Sequence, residues 1–475
     1  MSNRSLKFIE KYNIQWILLI VIGIGIVLRF YGLTIQSYWV DELFTLFTAN
    51  PSATFSESLH RVFHDLVHPP VYNILLWIWF KLFGFTEYVG RSFSAFTGVL
   101  SIIAMYYLGK EIFNKNVGVY AAILVTFNYF LIYFSQEARS YSLFLLFSIL
   151  SYLFLFKTIR TKSIYNAFLY TFFTLLLIYT HYFGFFLIAS QFIVFVYLAV
   201  IEIKNRKKLI YIGIVVMVII TLSIAPVLYS ILNSDATIAA ERMRWCYAPS
   251  PYFFLTYMKT YFSYQVIPFA ILLIVLAVKM YQQKIKNSYI VYALIIWIFI
   301  CYLFPYLKSI ISYPILAPRY TIYVVPAMIL LVAVAIDSIE NKKFKYLLVA
   351  LIVLSSVFRI YRYDYYTKPQ KEEWRKIANY IISDSRDLPV YTPYYYQGHK
   401  EHFNTYFEIL KSEKHAFSID QLTQELNLNK APDSFWIISA HGNKNLLPMK
   451  LINKYSLIKI DEIKGIQAIG VLYKR

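Results

Sequence analysis

Apolar runs of about 20 residues recur along the first three quarters of this chain. A run of that length is what a helix needs to cross a bilayer core of ~30 Å. Hydrophobic residues make up 59% of the sequence and charged residues 15%, whereas soluble proteins carry about 25% charged residues. Such a composition cannot cover a surface that faces water. The sequence therefore predicts an all-α polytopic membrane protein.

Eleven spans are predicted, with boundaries that hold to within a few residues. They cover 16–34, 92–109, 117–134, 140–156, 164–180, 183–201, 209–230, 265–281, 289–306, 320–338 and 345–361. The apolar segment Val71–Phe83 is short for a crossing, and we expect it to lie on the membrane or dip into it. If it crosses fully, a second short crossing must accompany it. The expected number of transmembrane helices is therefore about 11–13.

Lysine and arginine clusters fall in every second connector and predict the orientation of the chain, because cytoplasmic loops carry this excess. They lie at 4–11, 110–115, 157–162, 204–208, 279–286 and 342–345. The rule places the N-terminus in the cytoplasm and the first loop, 35–91, outside a plasma (inner) membrane. The C-terminal tail is also expected outside. This distribution accounts for the net charge of +20, so we expect no nucleic-acid partner.

The composition changes after Tyr361, where charged residues return and the apolar runs shorten. We predict a transmembrane domain over 1–362 and a small extracytoplasmic α+β domain over 363–475. An amphipathic pattern predicts a helix at Lys371–Ile382. Strands are predicted at Pro389–Thr392, Phe435–Ala440, Ser456–Ile460 and Ile466–Tyr473.

Two adjacent carboxylates, Asp41 and Glu42, lie beside aromatic residues just after the first span. Acidic side chains at such a depth are costly unless they are paired or functional. Adjacent residues of a helix point about 100° apart, so we expect the two carboxylates to have different tasks. Asp41 is a candidate catalytic base. The alternative is that Asp41 caps a helix that starts at Glu42.

Six more polar residues fall in the outer connectors or at the start of a span. They are His68, Arg91, Glu137, Arg139, His181 and Arg319. All but Arg91 have a structural alternative. The prolines after His68 start a helix, Glu137 and Arg139 form a surface pair, the histidines pack internally, and Arg319 anchors a helix at the headgroups.

Taken together, this polar set favours chemistry at one membrane surface. Charges at the bilayer midplane, which a proton pump or ion channel needs, are not predicted. Arginine binds phosphate as a bidentate partner, and a carboxylate acts as a base. The set is therefore typical of a reaction on a lipid with an anionic head.

At these residues the sequence resembles the integral-membrane glycosyltransferases that use polyprenyl-phosphate sugars, the GT-C superfamily. It is most similar to the branch that holds the protein O-mannosyltransferases of glycosyltransferase family 39 and the lipid A aminoarabinose transferases. The matching segments are YWVDELFTL (38–46), HPPVYNILLWIWFKLFG (68–84), GRSFSAFTGVL (90–100), SQEARSYSLFLL (135–146), THYFG (180–184), APRYTIYVVP (317–326) and EEWRKIANYI (372–381). The likeness covers roughly residues 10–385.

The resemblance implies a GT-C fold with helices in the first outer loop and an active site outside the cytoplasm. It implies that Asp41 is the catalytic carboxylate, with Glu42 as its neighbour, and that His68 and Arg91 match motif positions. The remaining candidates, which recur in the pattern, are Glu137, Arg139, His181 and Arg319. We expect these four residues, together with His68 and Arg91, to bind the substrate or its phosphate.

The resemblance also implies the partners. The expected donor is a sugar on dolichyl or undecaprenyl phosphate, and the expected acceptor is a protein, a glycolipid or a cell-envelope glycan. Some relatives need a divalent cation and others do not, so a metal cofactor stays open, and Cys246 and Cys301 show no metal-ligand spacing.

Two other classes share these features: a transporter or flippase of lipid-linked sugars, and a non-catalytic protein of envelope assembly. A transporter is expected to carry inverted repeats and interrupted helices, and the sequence shows neither.

Overall fold

The computed structural model describes residues 3–65, 68–201, 206–233, 241, 243–393, 399–443 and 446–475. At 3–13, 63–65, 230–232 and 264 only the backbone is described. The predicted outer loop 231–264 therefore lies partly outside the described residues, and so does the basic residue Lys204.

Helices dominate the described chain up to Arg362. They are α1 Asn3–Phe30, α2 Val40–Thr48, α3 Phe55–Asp65, α4 Val71–Phe83, α5 Glu87–Ile112, α6 Lys115–Thr126, α7 Tyr129–Ser135, α8 Tyr141–Thr161, α9 Ile164–Ile178, α10 Gly184–Ile201, α11 Arg206–Leu232, α12 Phe253–Phe262, α13 Val266–Tyr281, α14 Ser288–Ile311, α15 Val325–Ser338 and α16 Lys342–Arg362. A 3-10 helix, Pro318–Val324, leads into α15.

Seven described helices are long and apolar enough to cross a membrane, and nine crossings result if each of two bent helix pairs is one span. The predicted eleven also require two shorter apolar helices, Ile14–Phe30 and Ile164–Ile178. The chain is thus a multi-pass membrane protein, as predicted. Whether α4 dips into the membrane stays a prediction.

The predicted span 117–134 is broken in the structure. Its two halves, α6 and α7, bend by 64°. At the break, the Asn128 side chain accepts a hydrogen bond from the Leu131 N–H (3.0 Å) and so caps α7. The guanidinium of Arg29 donates to the carbonyl of Val125 at the end of α6 (2.9 Å). These two side chains satisfy backbone groups that the break leaves open.

The described part of the tail contains four helices and one five-stranded sheet. Its helices are α17 Trp374–Ser383, α18 His399–Ile409, α19 Ile419–Asn427 and α20 Met449–Lys454. Its strands are β1 Val390–Thr392, β2 Ala416–Ser418, β3 Ser434–Ser439, β4 Ile458–Gly465 and β5 Ala468–Lys474. The strand order is β2-β1-β3-β5-β4, with β1 parallel to both of its neighbours and β5 antiparallel to both of its own. The α+β prediction is confirmed.

Helix α17 shows why the sequence pattern located these elements. It buries Trp374, Ile377, Ala378 and Ile381, which recur at the spacing of one helical face. The helix begins three residues after its predicted start. The three-residue strand β2 was not predicted, since so short a strand carries no alternating pattern.

The chain is organised as two compact units. The membrane unit comprises Met1–Tyr31, Phe63–Tyr72 and Ser94–Tyr363. The loop–tail unit comprises Gly32–Val62, Asn73–Phe93 and Asp364–Arg475. The first loop thus belongs largely with the tail. The predicted boundary between 362 and 363 differs from this division and stays a prediction.

Candidate functional site

In the loop–tail unit, Asp41 lies in the first turn of α2. The helix begins at Val40, and its N-cap position is Trp39. The alternative that Asp41 caps the helix is therefore wrong, because Asp41 is already inside it. Its side chain is partly exposed, whereas that of its neighbour Glu42 is fully buried.

Glu42 forms a buried, two-pronged ion pair with Arg91. The Nε and Nη2 groups of Arg91 donate to the two carboxylate oxygens, at 2.9 and 2.7 Å. The remaining N–H groups of Arg91 donate to the backbone carbonyls of Leu33, Gln36 and Ser37. The Tyr38 ring lies 4.5 Å from the guanidinium carbon. Lys371 also donates to Glu42, at 3.3 Å.

This geometry gives Arg91 a structural role. An arginine has five N–H groups, and all five of Arg91 donate to Glu42 or to loop carbonyls. None is left for a phosphate oxygen, although sequence analysis expected that contact. Arg91 instead fixes the loop in front of α2, and Glu42 holds Arg91.

Beside Asp41 lies a pair that sequence analysis missed, Glu372 and His441. One Glu372 oxygen accepts from the Val40 N–H (3.1 Å) and from the Trp374 Nε1–H (2.6 Å). The other lies 2.5 Å from Nδ1 of His441. The hydrogen bond to Glu372 raises the pKa of His441 against the opposing effect of burial, and the charges of Glu372 and Asp41 raise it further. Glu372 belongs to the EEWRKIANYI segment, but nothing in the sequence singled out His441.

In the membrane unit, His68 and Arg139 meet. Nη2 of Arg139 lies 3.1 Å from Nε2 of His68. The Val71 N–H donates to the Tyr179 carbonyl (2.9 Å) and so ties the start of α4 to the turn after α9, which carries His181.

His181 lies close enough to His68 and Arg139 for their charges to affect its pKa. Burial lowers the pKa of His181 to about 3, and the charges of His68, Arg139 and Arg319 lower it as well. His181 is therefore neutral at physiological pH. Its ring stacks on Phe144, with ring centroids 4.9 Å apart.

Aromatic rings flank both arginines of this cationic cluster, which we define as His68, Arg139, His181 and Arg319. The Arg319 guanidinium lies 4.3 Å from the Trp245 ring centre and 5.4 Å from that of Tyr320. The Arg139 guanidinium lies 5.8 Å from the ring centre of Tyr141. Sequence analysis did not single out these three rings. Flat guanidinium groups stack well on aromatic faces, so the rings hold the arginines in place.

The surface-pair alternative for Glu137 and Arg139 is wrong, because their exposed fractions are only 1% and 6%. The Gln136 side chain fixes their turn. Its amide donates to three carbonyls at the end of α1, those of Leu28, Arg29 and Tyr31. Arg139 and Arg319 lie directly before α8 and within the 3-10 helix before α15, and these two spans are among the most deeply buried. The two arginines of the cationic cluster therefore adjoin helices that are packed deep inside the membrane unit.

The described residues contain no group of three or more His, Cys, Asp and Glu side chains arranged to hold a metal ion. The expectation about a divalent cation stays open.

Comparison with solved structures identifies the fold. ArnT from Cupriavidus metallidurans, solved with undecaprenyl phosphate bound, superposes with a TM-score of 0.62 at 13% sequence identity. The match covers 96% of this chain and 97% of that one. This chain has the ArnT-type GT-C fold.

Two further structures share the GT-C fold with this chain. The oligosaccharyltransferase AglB from Archaeoglobus fulgidus, in complex with an inhibitory peptide and a dolichol-phosphate, matches with a TM-score of 0.56 at 13% identity, over 86% of this chain and 64% of that one. The arabinofuranosyltransferase AftD from Mycobacteria matches with a TM-score of 0.50 at 12% identity, over 97% of this chain and 41% of that one.

A family model described as dolichyl-phosphate-mannose-protein mannosyltransferase matches residues 67–230. That range includes His68, Arg139 and His181 but neither Asp41 nor Arg319. No curated protein matches the chain by sequence. The resemblance predicted from the sequence motifs is confirmed by the family match and by the GT-C structures.

Proposed function

We propose that this GT-C chain is a membrane glycosyltransferase that moves a sugar from a polyprenyl-phosphate carrier to a hydroxyl group of an acceptor. The observation that carries the proposal is the cationic cluster, which gathers two arginines and two histidines from separate connectors in the membrane unit. The family match and the bound undecaprenyl phosphate and dolichol-phosphate in ArnT and AglB support a polyprenyl-phosphate donor.

The cationic cluster suits a phosphate with a lipid tail. Arg139 and Arg319 carry permanent charge, and arginine binds phosphate oxygens in a planar, bidentate geometry. His181 is neutral and therefore contributes hydrogen bonding without charge. His68 lies against Arg139 and orients it. Charge stabilisation of this kind is strong where water is excluded.

Asp41 is the proposed base. The acceptor oxygen attacks the anomeric carbon, the bond from that carbon to the phosphate oxygen breaks, and Asp41 takes the proton of the hydroxyl group. The carrier leaves as a phosphate, which needs charge stabilisation rather than a strong acid. Direct displacement inverts the anomeric configuration. Glu42 does not take part in the proton transfer. Its ion pair with Arg91 fixes the start of α2, the helix that carries Asp41.

The acceptor is a protein, a glycolipid or a cell-envelope glycan outside the cytoplasm. This side of the plasma membrane follows from the lysine and arginine clusters of alternate connectors.

The direct test is carrier turnover. The full-length protein in lipid nanodiscs is incubated with hexoses and pentoses on undecaprenyl or dolichyl phosphate, labelled in the sugar, with envelope extract as the source of acceptor. We expect release of polyprenyl phosphate from at least one carrier. Mass spectrometry of glycans and glycolipids in a deletion strain then names sugar and acceptor. If every carrier stays intact while undecaprenyl phosphate still binds, the transporter alternative replaces the enzyme.

Arg139→Gln tests the cationic cluster without knowledge of the sugar. Binding of undecaprenyl phosphate, measured by native mass spectrometry, should weaken about 10-fold or more, since a hydrogen bond to a charged group contributes about 1.5–3 kcal/mol. Arg160→Gln is the matched control, because Arg160 lies in the last turn of α8, the helix that Arg139 precedes, and pairs there with Glu111. Equal affinity of both variants would remove Arg139 from the phosphate site.

A further inference from the structure

Glu372 receives hydrogen bonds on both carboxylate oxygens. The Val40 and Trp374 donors occupy Oε2, and Nδ1 of His441 lies at Oε1. An ionised carboxylate only accepts hydrogen bonds, so the hydrogen of this last contact belongs to Nδ1 of His441. The proton that His441 gains or loses is therefore the one on Nε2. A carboxylate that fixes the histidine tautomer in this way orients the imidazole as a base.

The Glu372–His441 pair lies close to Asp41, the proposed base. The Val40 N–H that Glu372 accepts is in the first turn of α2, one residue before Asp41. The charge of Asp41 acts on His441 and on the buried His402. His441 lies two residues after the end of β3, and its side chain is 40% exposed. The imidazole is thus open to solvent while the charge of Asp41 acts on it.

We propose that Glu372 and His441 of the tail form, with Asp41, a proton relay in which neutral His441 accepts at Nε2 the proton that Asp41 has taken from the acceptor hydroxyl. The proposal rests on the function proposed above. The balance is simple: the proton passes from the acceptor oxygen to Asp41, then to His441, and then to solvent. Asp41 is again a carboxylate, and Glu372 stabilises the imidazolium. The transfer from Asp41 to His441 is downhill, because a carboxylic acid is a stronger acid than imidazolium.

The charged and titratable groups that act on His441 or are acted on by it are Glu372, Asp41 and two histidines of α18. Burial lowers the pKa of His399 to about 4 and that of His402 to about 3. The two histidines of α18 therefore do not account for a change of rate near neutrality, and the variant His441→Asn separates the part due to His441 from any part due to His68 of the cationic cluster.

The sign of that pH dependence is fixed. His441 accepts a proton only while it is neutral, and its pKa is raised above the ordinary value of 6.5. The turnover rate of the wild type should therefore fall as the pH drops through that raised pKa, and should level off above it.

The test is the pH profile of carrier turnover by full-length variants in nanodiscs, with the carrier that the wild type consumes. In His441→Asn the fall in turnover rate with decreasing pH near neutrality (the acidic limb of the profile) should vanish. The constant rate at higher pH should drop by about 10²-fold, the lower end of what a positioned acid or base contributes. In Glu372→Gln the limb should move to lower pH, since the charge that raises the pKa of His441 is gone. His415→Asn, at an exposed histidine of the same unit, is the control and should keep the wild-type profile.

The outcomes separate the two proposals. A wild type that consumes no carrier overturns the glycosyltransferase and the relay with it. A wild type that is active, loses activity in Asp41→Asn, and keeps its profile in His441→Asn overturns the relay alone. Hydrogen exchange of the α2 amides, compared between wild type and both variants, shows whether the helix start is intact. A displaced limb in Glu372→Gln with an unchanged α2 cannot arise from a merely structural role.

Discussion

Asp41 and Glu42 are neighbours in sequence, yet their surroundings give them opposite tasks. Glu42 is buried and bound on both oxygens by Arg91, whereas Asp41 is partly exposed at the start of the same helix. A base must exchange a proton with a substrate, and a carboxylate locked in a buried ion pair is poorly suited to that. We therefore propose Asp41, rather than Glu42, as the base.

Asp41→Asn should abolish turnover while the protein still inserts and folds. The loss of a positioned base costs about 10²–10⁴-fold in rate. The measurement is carrier turnover together with the monodispersity of the purified variant. Asp420→Asn is a matched control, because Asp420 is likewise the second residue of its helix, α19, and is exposed. Full activity of Asp41→Asn would show that another group is the base.

Glu42→Gln should destabilise the protein rather than act on chemistry alone. It leaves the buried guanidinium of Arg91 without its counter-charge, and such a loss costs about 3–5 kcal/mol. We expect a lower unfolding temperature than for the wild type or for Asp41→Asn. The double variant Glu42→Gln with Arg91→Gln should recover part of the difference. An unchanged unfolding temperature in the single variant would contradict the structural role.

At the scale of elements, the turn between α7 and α8 shows how a membrane protein builds a polar site. The Gln136 amide donates to three carbonyls at the end of α1, two of them at 3.1 and 2.8 Å. The last carbonyls of a helix have no partner within it. By satisfying them, Gln136 fixes the turn that presents Arg139.

Gln136→Leu should therefore weaken undecaprenyl phosphate binding although Arg139 is retained. It should also lower stability, since a buried acceptor left unsatisfied costs about 1–3 kcal/mol. Gln265→Leu is the control: Gln265 is equally buried, but its amide donates to the Ile352 carbonyl (3.1 Å) rather than to the turn that carries Arg139. It should lower the unfolding temperature and leave binding intact. Similar binding in both variants would contradict the positioning role of Gln136.

At the scale of the whole molecule, the orientation proposed from charge can be tested without any substrate. A C-terminal alkaline phosphatase fusion should be active, and a C-terminal fluorescent-protein fusion should be dark, because phosphatase folds only outside the cytoplasm. The same reporters after Lys204 in the predicted cytoplasmic connector should give the reverse result. Reversed signals at both positions would place the proposed chemistry on the cytoplasmic side.

The first loop and the tail share one unit although more than 270 residues separate them in sequence. Gln36 accepts from the Gln370 N–H (2.7 Å), and Arg375 donates to the carbonyls of Thr34 and Ile35. The tail therefore supports the helix that carries Asp41.

The sequence by itself determined the multi-pass helical character, the α+β tail and the candidate acids and arginines. Transfer of a segment into lipid depends on its own length and apolarity, and the face of a helix shows in local spacing. Length, apolarity and helical spacing are properties of consecutive residues and can be read without knowledge of the tertiary structure. The residues of the cationic cluster were predicted for the same reason, since each stands out as a polar residue in a membrane connector.

Only the tertiary structure decided which polar residues are paired with each other. Glu42 meets Arg91 across 49 positions of sequence, and Glu372 meets His441 across 69. Burial removes water from such pairs, so each buried charge needs a specific partner, and no local pattern names that partner. This is why the sequence pointed to Arg91 as a phosphate ligand and passed over His441 and Trp245.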